Sequence, residues 1–342
     1  MRVAMYYSND DVRLEEVPVP EIGPGEVLLR VEASGICGSD LLEWYRLHKA
    51  PLILGHEVAG VIEDVGWGVE GHKVGDRVCA AHHVPCNDCH YCLSGHHTVC
   101  DTLRCTNFDP GGFAEYVRLP RLNVERGIFP LPDGVSFDEG TFVEPLACVL
   151  RGQRLAGLKE GCSLLVVGSG VAGLLHVQAA RASGAGYIMA TDVSDYRLDT
   201  ARALGADETV RAGEYTAARL REAIGGRLAD IVVLCTGAPS AVNQALASVE
   251  RGGTVLFFAA TEPGVGIPLV ANDLFWRNEI TLASSYGASP EEYAGALERI
   301  DGGGVRVRDM ITHRLGLAET GSGFKLVARA EECLKVIIEP QE

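Results

Sequence analysis

Four cysteines crowd the stretch "PCNDCHYCLSGHHTVC" (85–100), spaced C-x2-C-x2-C-x7-C through Cys86, Cys89, Cys92 and Cys100. Four thiolates at such spacing can hold one tetrahedral zinc ion, and iron–sulfur clusters also take four cysteines. Cluster motifs usually carry a proline after the last ligand, whereas Asp101 follows Cys100, so zinc is the reading. A site closed by four thiolates has no open position, so it folds a lobe (about 85–105) rather than activating a substrate. His90, His96 and His97 are then solvated loop residues.

Metal catalysis needs three protein ligands and a free place for water or substrate. "GICGSD" offers Cys37, "LGHEVAG" offers His56 and Glu57, and "FVEPLAC" offers Glu144. These residues are far apart in sequence, and spacing alone does not join them.

A third pattern is built from glycine. Gly168, Gly170 and Gly173 form G-x-G-x-x-G between an apolar strand and a helix, with Val171 and Ala172 inside it. The first glycine permits a tight turn, the second lets a pyrophosphate approach the backbone, and the third lets helix and strand pack closely. Asp192 ends the next strand, where its carboxylate can accept from ribose hydroxyls and repel a 2′-phosphate. That favours NAD over NADP, and Arg197, five residues on, softens the preference.

The elements that must position these residues fall into three stretches. Over 1–150, short β-type runs ("EVLLRVEA", "VAGVIEDV", "DRVCAA", "FAEYVRLP") alternate with glycine and proline, which predicts a partly open antiparallel barrel. Over 151–287, the apolar runs "SLLVVG", "YIMATD", "DIVVLCTG", "GTVLFFAA" and "EITLASS" alternate with helical segments, the pattern of a doubly wound parallel sheet. The remainder, 288–342, is too small to stand alone and is expected to rejoin the first domain. The chain is thus α/β.

With 342 residues, 47% of them apolar, the chain can bury two cores. Thirty basic against 46 acidic residues give a formal charge of −16, which disfavours nucleic acid as a partner. Neither a membrane span nor a signal segment is expected, and the protein is read as cytoplasmic. Eleven cysteines, an odd number, argue against a complete disulfide framework. Cys79, Cys148, Cys162, Cys235 and Cys333 are expected to be small buried hydrophobes; Cys105 is left open.

The run Gly55-His56-Glu57, then Gly60, Gly66 and Val69, resembles the zinc signature of the medium-chain alcohol dehydrogenase family. The cysteine lobe, the glycine fingerprint and the domain order are similar as well, so the resemblance covers essentially the whole chain. Glu144 in "EPLA" resembles the sorbitol, threonine and butanediol dehydrogenase branch. The resemblance implies a GroES-like catalytic domain, a Rossmann domain, and two zinc ions per chain. Cys37, His56 and Glu144 would hold the catalytic zinc, with Glu57 binding it directly or through water.

It further implies hydride transfer between a secondary alcohol and NAD, with Ser39 taking the hydroxyl proton and Asp40 orienting the histidine ligand. The chain departs from the family where many relatives place a relay histidine, because that position is Leu42. A shortened route from Ser39 through a ribose hydroxyl to solvent is therefore expected. Leu42, Trp44 and Tyr45 would border the substrate.

Ser285-Tyr286, in place of an arginine before the tyrosine, puts sorbitol itself in doubt; polyols, cyclitols and sugar derivatives are the expected substrates. Simple secondary alcohols or vicinal diols are the alternative, and a non-catalytic NAD(H)-binding sensor is a second. Relatives of this kind form dimers or tetramers through an apolar edge strand, here expected at "TVLFFAA", and a homotetramer is favoured.

Overall fold

Alternation sets the first strands of the chain. In the computed structural model, which describes every residue except 268, the opening stretch forms eight strands. They are β1 (Arg2–Ser8), β2 (Asp11–Glu16), β3 (Val27–Gly35), β4 (Leu52–Ile53), β5 (Glu57–Val65), β6 (Arg77–Ala81), β7 (Tyr116–Leu119) and β8 (Ile128–Pro130). On β3, Val27, Leu29, Val31 and Ala33 are fully buried, while the residues between them are only partly so. That two-residue period aims one face at a core shared with Val58, Ile62, Val78 and Val117. Each such apolar side chain contributes roughly 1.5–3 kcal/mol when fully buried.

The middle of the chain forms β9 (Ser163–Val167), β10 (Tyr187–Asp192), β11 (Glu208–Arg211), β12 (Ala229–Leu234), β13 (Val249–Phe257) and β14 (Thr281–Ser284). Their order is β11-β10-β9-β12-β13-β14, and every pair is parallel. All five residues of β9 are buried, as a central strand covered on both faces requires. The order reverses between β9 and β12, which is the doubly wound Rossmann arrangement.

This order corrects the expectation for "TVLFFAA". β13 is an interior strand, hydrogen-bonded to β12 on one side and β14 on the other. The edges are β11 and β14.

After β14 the chain supplies β15 (Ile311–Gly316) and β16 (Lys335–Glu339). Both join the earlier strands in the order β15-β16-β3-β5-β6-β8, with β7 also paired to β3. β1, flanked by β2 and β4, makes a small separate sheet. Together these form the GroES-like β-domain.

Two compact units result. One holds Met1–Ala147, Gly287–Gly303 and Val307–Glu342; the other holds Cys148–Tyr286 and Gly304–Arg306. Among the described residues no helix is long and apolar enough to cross a membrane. Cys79 and Cys333 are buried as expected, but Cys148, Cys162 and Cys235 are only partly so, and Cys105 is exposed.

Candidate metal centres and dinucleotide turn

The cysteine lobe turns on itself at Asn87, whose φ of 63° lets the chain reverse between Cys86 and Cys89. Two short helical turns, His90–Leu93 and Asp101–Cys105, bring in Cys92 and Cys100. The sulfurs of Cys86 and Cys92 are 3.9 Å apart, those of Cys89 and Cys92 3.6 Å, and those of Cys100 and Cys86 3.5 Å. A tetrahedron with metal–sulfur bonds of about 2.3 Å has edges of about 3.8 Å, so one zinc ion fits the four.

A cluster with one iron per ligand needs its sulfurs farther apart. Backbone N–H groups also point at the sulfurs, Cys89 N at Cys86 Sγ (3.3 Å) and Cys86 N at Cys100 Sγ (3.5 Å). Burial acts against ionisation of Cys100, but donors from Cys86 and Leu103 outweigh it and pull the thiol down to about 6. Burial pushes Cys92 up to about 12. His90 and His96 are exposed and His97 is partly so.

A second donor group forms where β3 ends and β5 begins. Gly35 pairs with Glu57 across these strands, and Cys37 caps the one-turn helix Gly38–Leu41. Gly55 has φ +95°, and a Cβ there would lie 2.7 Å from the Phe113 backbone nitrogen; only glycine lets the chain deliver His56 at this turn. The donor atoms of Cys37, His56 and Glu57 all lie within 4.8 Å of one another. One sulfur, one imidazole nitrogen and one carboxylate oxygen are a mixed set that suits zinc. Glu144, also expected here, is not one of these three: it is buried in the first turn of the helix Val143–Leu155.

Asp40, fully buried, organises this group. Its Oδ2 accepts from the Cys37 N–H (3.1 Å), and its Oδ1 lies 3.4 Å from both His56 Nδ1 and Arg46 Nη2. Holding Nδ1 leaves Nε2 to face a metal. Burial penalises both charges, but each partner supports the other: Asp40 and Cys37 hold the His56 imidazolium well above the ordinary histidine range. His56 and Arg46 hold Asp40 below the usual carboxylate range. Ser39 Oγ donates to Cys37 Sγ at 3.4 Å. Leu42 follows this turn, Trp44 is exposed, and Trp44 and Tyr45 have ring centroids 5.8 Å apart.

Sequence reasoning missed four side chains in this unit. Arg46 donates to the carbonyl and hydroxyl of Ser39. Lys335 is paired with Glu57, both 1% exposed. His82 and His83 follow β6, and because Ala81 pairs with Glu57, the His82 ring lies 4.9 Å from that of His56.

The rings of His82 and His83 are 4.0 Å apart. His83 Nδ1 donates to the Thr106 carbonyl at 2.6 Å. Burial above all, with neighbouring positive charge, holds His82 well below the ordinary range and lowers His83 to about 4. The doublet "HHVPC" is the available signal, since two consecutive histidines directly after an apolar strand bring two imidazoles to one strand end.

In the other unit, Gly168 (φ +95°) makes the turn after β9, and Gly170 caps the helix Val171–Ala182. A Cβ at Gly173 would overlap the Gly168 carbonyl. Val171 and Ala172 open the helix, whose N–H groups offer partial positive charge to phosphates. Asp192 Oδ2 accepts from Ser169 N (2.7 Å) and Oδ1 from Ser194 N (2.9 Å), which fixes the carboxylate at the strand end. Arg197 Nη1 stands 3.9 Å from Asp192 Oδ2.

Residues 23–133 match the family described as alcohol dehydrogenase GroES-like domain, and residues 171–302 match the zinc-binding dehydrogenase family. The sorbitol dehydrogenase of Bacillus subtilis (strain 168) is 31% identical, over 99% of this chain and 97% of its own. The L-threonine 3-dehydrogenase of Bacillus licheniformis is 33% identical, over 95% and 94%. A chain described only as a zinc-binding dehydrogenase, from Sinorhizobium meliloti 1021 and bound to NADP, superposes with a TM-score of 0.87. It is 29% identical over 99% of both chains.

Proposed function

The chain belongs to the zinc-dependent medium-chain alcohol dehydrogenase family, and from that premise we propose how its residues divide the work. It is an alcohol or polyol dehydrogenase, transferring hydride between a secondary alcohol and a nicotinamide cofactor. The carrying observation is the Cys37, His56 and Glu57 donor group with Ser39 and Asp40 built against it. The sensor alternative does not fit relatives that are dehydrogenases.

Cys37, His56, Glu57 and Glu144 would hold the catalytic zinc, and Cys86, Cys89, Cys92 and Cys100 a structural one. When bound, zinc supplies Lewis acidity that brings an alcohol hydroxyl towards neutral pKa, and the nicotinamide accepts hydride. Asp40 fixes the His56 ring through Nδ1. Ser39 Oγ, 3.4 Å from Cys37 Sγ, takes the hydroxyl proton. Arg46 donates to that same oxygen and cannot accept a proton, and Leu42 offers no acceptor, so the proton would pass from Ser39 through a ribose hydroxyl to solvent.

Gly168, Gly170, Val171, Ala172 and Gly173 would cradle the pyrophosphate, and Asp192 the ribose. A fixed carboxylate at that point disfavours a 2′-phosphate, so NAD is the proposed cofactor, with Arg197 as the residue that would tolerate NADP. A homo-oligomer, a tetramer by preference, is proposed because Phe275, Trp276 and Tyr286 are exposed around the edge strand β14. A cytoplasmic setting suits a chain whose eleven cysteines form no disulfide.

The test is reduction of NAD and NADP with a panel of polyols, cyclitols and simple secondary alcohols, repeated with Glu144→Ala. Polyol-dependent NADH formation is expected, falling about a hundredfold or more in the variant at unchanged urea midpoint. Absence of turnover with every alcohol overturns the function; full turnover in Glu144→Ala overturns only that residue's role.

A further inference from the structure

One cation, Arg46, stands beside Ser39 and a second, Lys49, shares the Tyr45 ring with it, in a chain whose formal charge is −16; dehydrogenase chemistry on a neutral alcohol does not require them. Arg46 ends the short helix Glu43–Arg46. Its Nε donates to the Ser39 carbonyl at 3.2 Å, and its Nη2 lies 3.4 Å from both Ser39 Oγ and Asp40 Oδ1. Those contacts use one edge of the guanidinium. Among the described residues Nη1 has no hydrogen-bond partner, and it is not among the buried polar atoms left unsatisfied. Its two N–H groups are therefore open to a ligand.

Lys49 adds a second charge. Its Nζ lies 4.2 Å from the centroid of the Tyr45 ring, and the Arg46 guanidinium carbon lies 4.7 Å from the same centroid. One aromatic ring thus holds both cations in place. Among the described residues Lys49 has no carboxylate within ion-pair distance. Glu43, the nearest acidic residue in the helix, is engaged by the Asn9 backbone N–H at 3.2 Å. Asp40 already has the His56 ring as a partner, so neutralising it does not account for the open Nη1 edge or for Lys49.

We propose that Arg46, supported by Lys49, is a specificity-determining site for an anionic group on the alcohol, so that the substrates are polyols carrying a carboxylate or a phosphate. The inference rests on the dehydrogenase reading above. Ser39 Oγ touches both Arg46 Nη2 and Cys37 Sγ, so the guanidinium that carries the open Nη1 lies two hydrogen bonds from the Cys37 metal donor. An anion a few carbons from the reacting hydroxyl reaches it. The guanidinium fork matches carboxylate and phosphate oxygens, whereas a neutral polyol offers it only hydroxyls.

The experiment compares kcat and KM of the zinc-loaded enzyme on three matched substrates, a polyol, its aldonate and its phosphate monoester. Wild type, Arg46→Met, Arg46→Lys and Lys49→Gln are assayed, with calorimetric titration of inorganic phosphate alongside. An anionic member is expected to exceed the neutral one in kcat/KM by about tenfold or more. Arg46→Met should erase that ratio, mainly through KM, by about 10- to 100-fold. Arg46→Lys should restore part of it, Lys49→Gln should lower it severalfold, and phosphate binding should weaken in step.

Whether aldonate or phosphate ester gains more tells which anion the site takes. A neutral preference, or a ratio untouched by both Arg46→Met and Lys49→Gln, overturns the proposal; the exposed Lys49 keeps the test open if Arg46→Met fails to fold. If no alcohol is turned over, the dehydrogenase reading fails instead, and phosphate binding that depends on Arg46 and Lys49 still decides the anion site.

Discussion

Lys335 reaches across a whole strand to donate its ammonium to Glu57 Oε2, and both side chains are 1% exposed. β3 lies between their two strands, with Gly35 opposite Glu57 on β5 and opposite Ile337 on β16. Lys335 and Ile337 share a face, so the missing side chain of Gly35 is the opening through which the pair meets. A Cβ on Gly35 would overlap the Glu57 carboxylate and come within 2.7 Å of Lys335 Cε. Lys335 Nζ also donates to the Ile36 carbonyl at 3.3 Å and lies 5.4 Å from the Phe142 ring centroid.

Removing Lys335 leaves a buried carboxylate without its counter-charge. Lys335→Met should destabilise the protein by about 3–5 kcal/mol in urea denaturation, because an orphaned buried charge costs far more than the intact pair contributes. Replacing both partners, Glu57→Leu with Lys335→Met, should recover a good part of that loss. A loss in the double variant equal to the sum of the losses in Glu57→Leu and Lys335→Met alone would show that the two residues act independently and would overturn the pairing.

The architecture is legible because its signals are local. Apolar runs without alternation announce the parallel strands, and three glycines announce the turn after β9. β11 escapes because its four residues, Glu208–Arg211, carry a charge at each end, as a short edge strand can. The donor types Cys37, His56 and Glu57 are likewise readable one at a time. Lys335 is not, because a lysine within "CLKVIIEP" signals a buried partner without saying which, and that partner is 278 residues away. Arg46 reads as an ordinary exposed helix residue until the turn at Ser39 and Asp40 is seen beneath it.

The cysteine lobe has little apolar packing of its own, a cluster of Cys92, Cys100 and Leu103 with Cys86 and Cys89 packed against it. Metal ligation must supply most of its folding energy. Cys89→Ser should therefore lose one zinc equivalent, and its thermal midpoint should fall by several degrees, at roughly 1–2 °C for each kcal/mol lost in a chain of this size. Brief treatment of the native protein with a chelator should reproduce the shift. Unchanged zinc content in the variant would show that the four sulfurs do not share an ion.

His176, fully buried in the helix Val171–Ala182, should make the protein acid-sensitive. Its Nδ1 faces the Gln153 amide nitrogen at 3.3 Å, which can only donate. The ring proton is therefore on Nε2, which is buried without a hydrogen-bond partner among the described residues, while the Phe258 ring stands perpendicular with its centroid 4.6 Å away. Burial lowers the imidazole to about 3, whereas the unfolded chain titrates near 6.5. Between those values the unfolded state binds the extra proton, so stability falls as pH drops through about 6 to 3, by up to about 1.4 kcal/mol per pH unit from this residue. In His176→Leu that contribution is absent, and stability plotted against pH should be flatter over the window. Parallel plots for the two proteins between pH 7 and 4.5 would mean that His176 takes up its proton without unfolding.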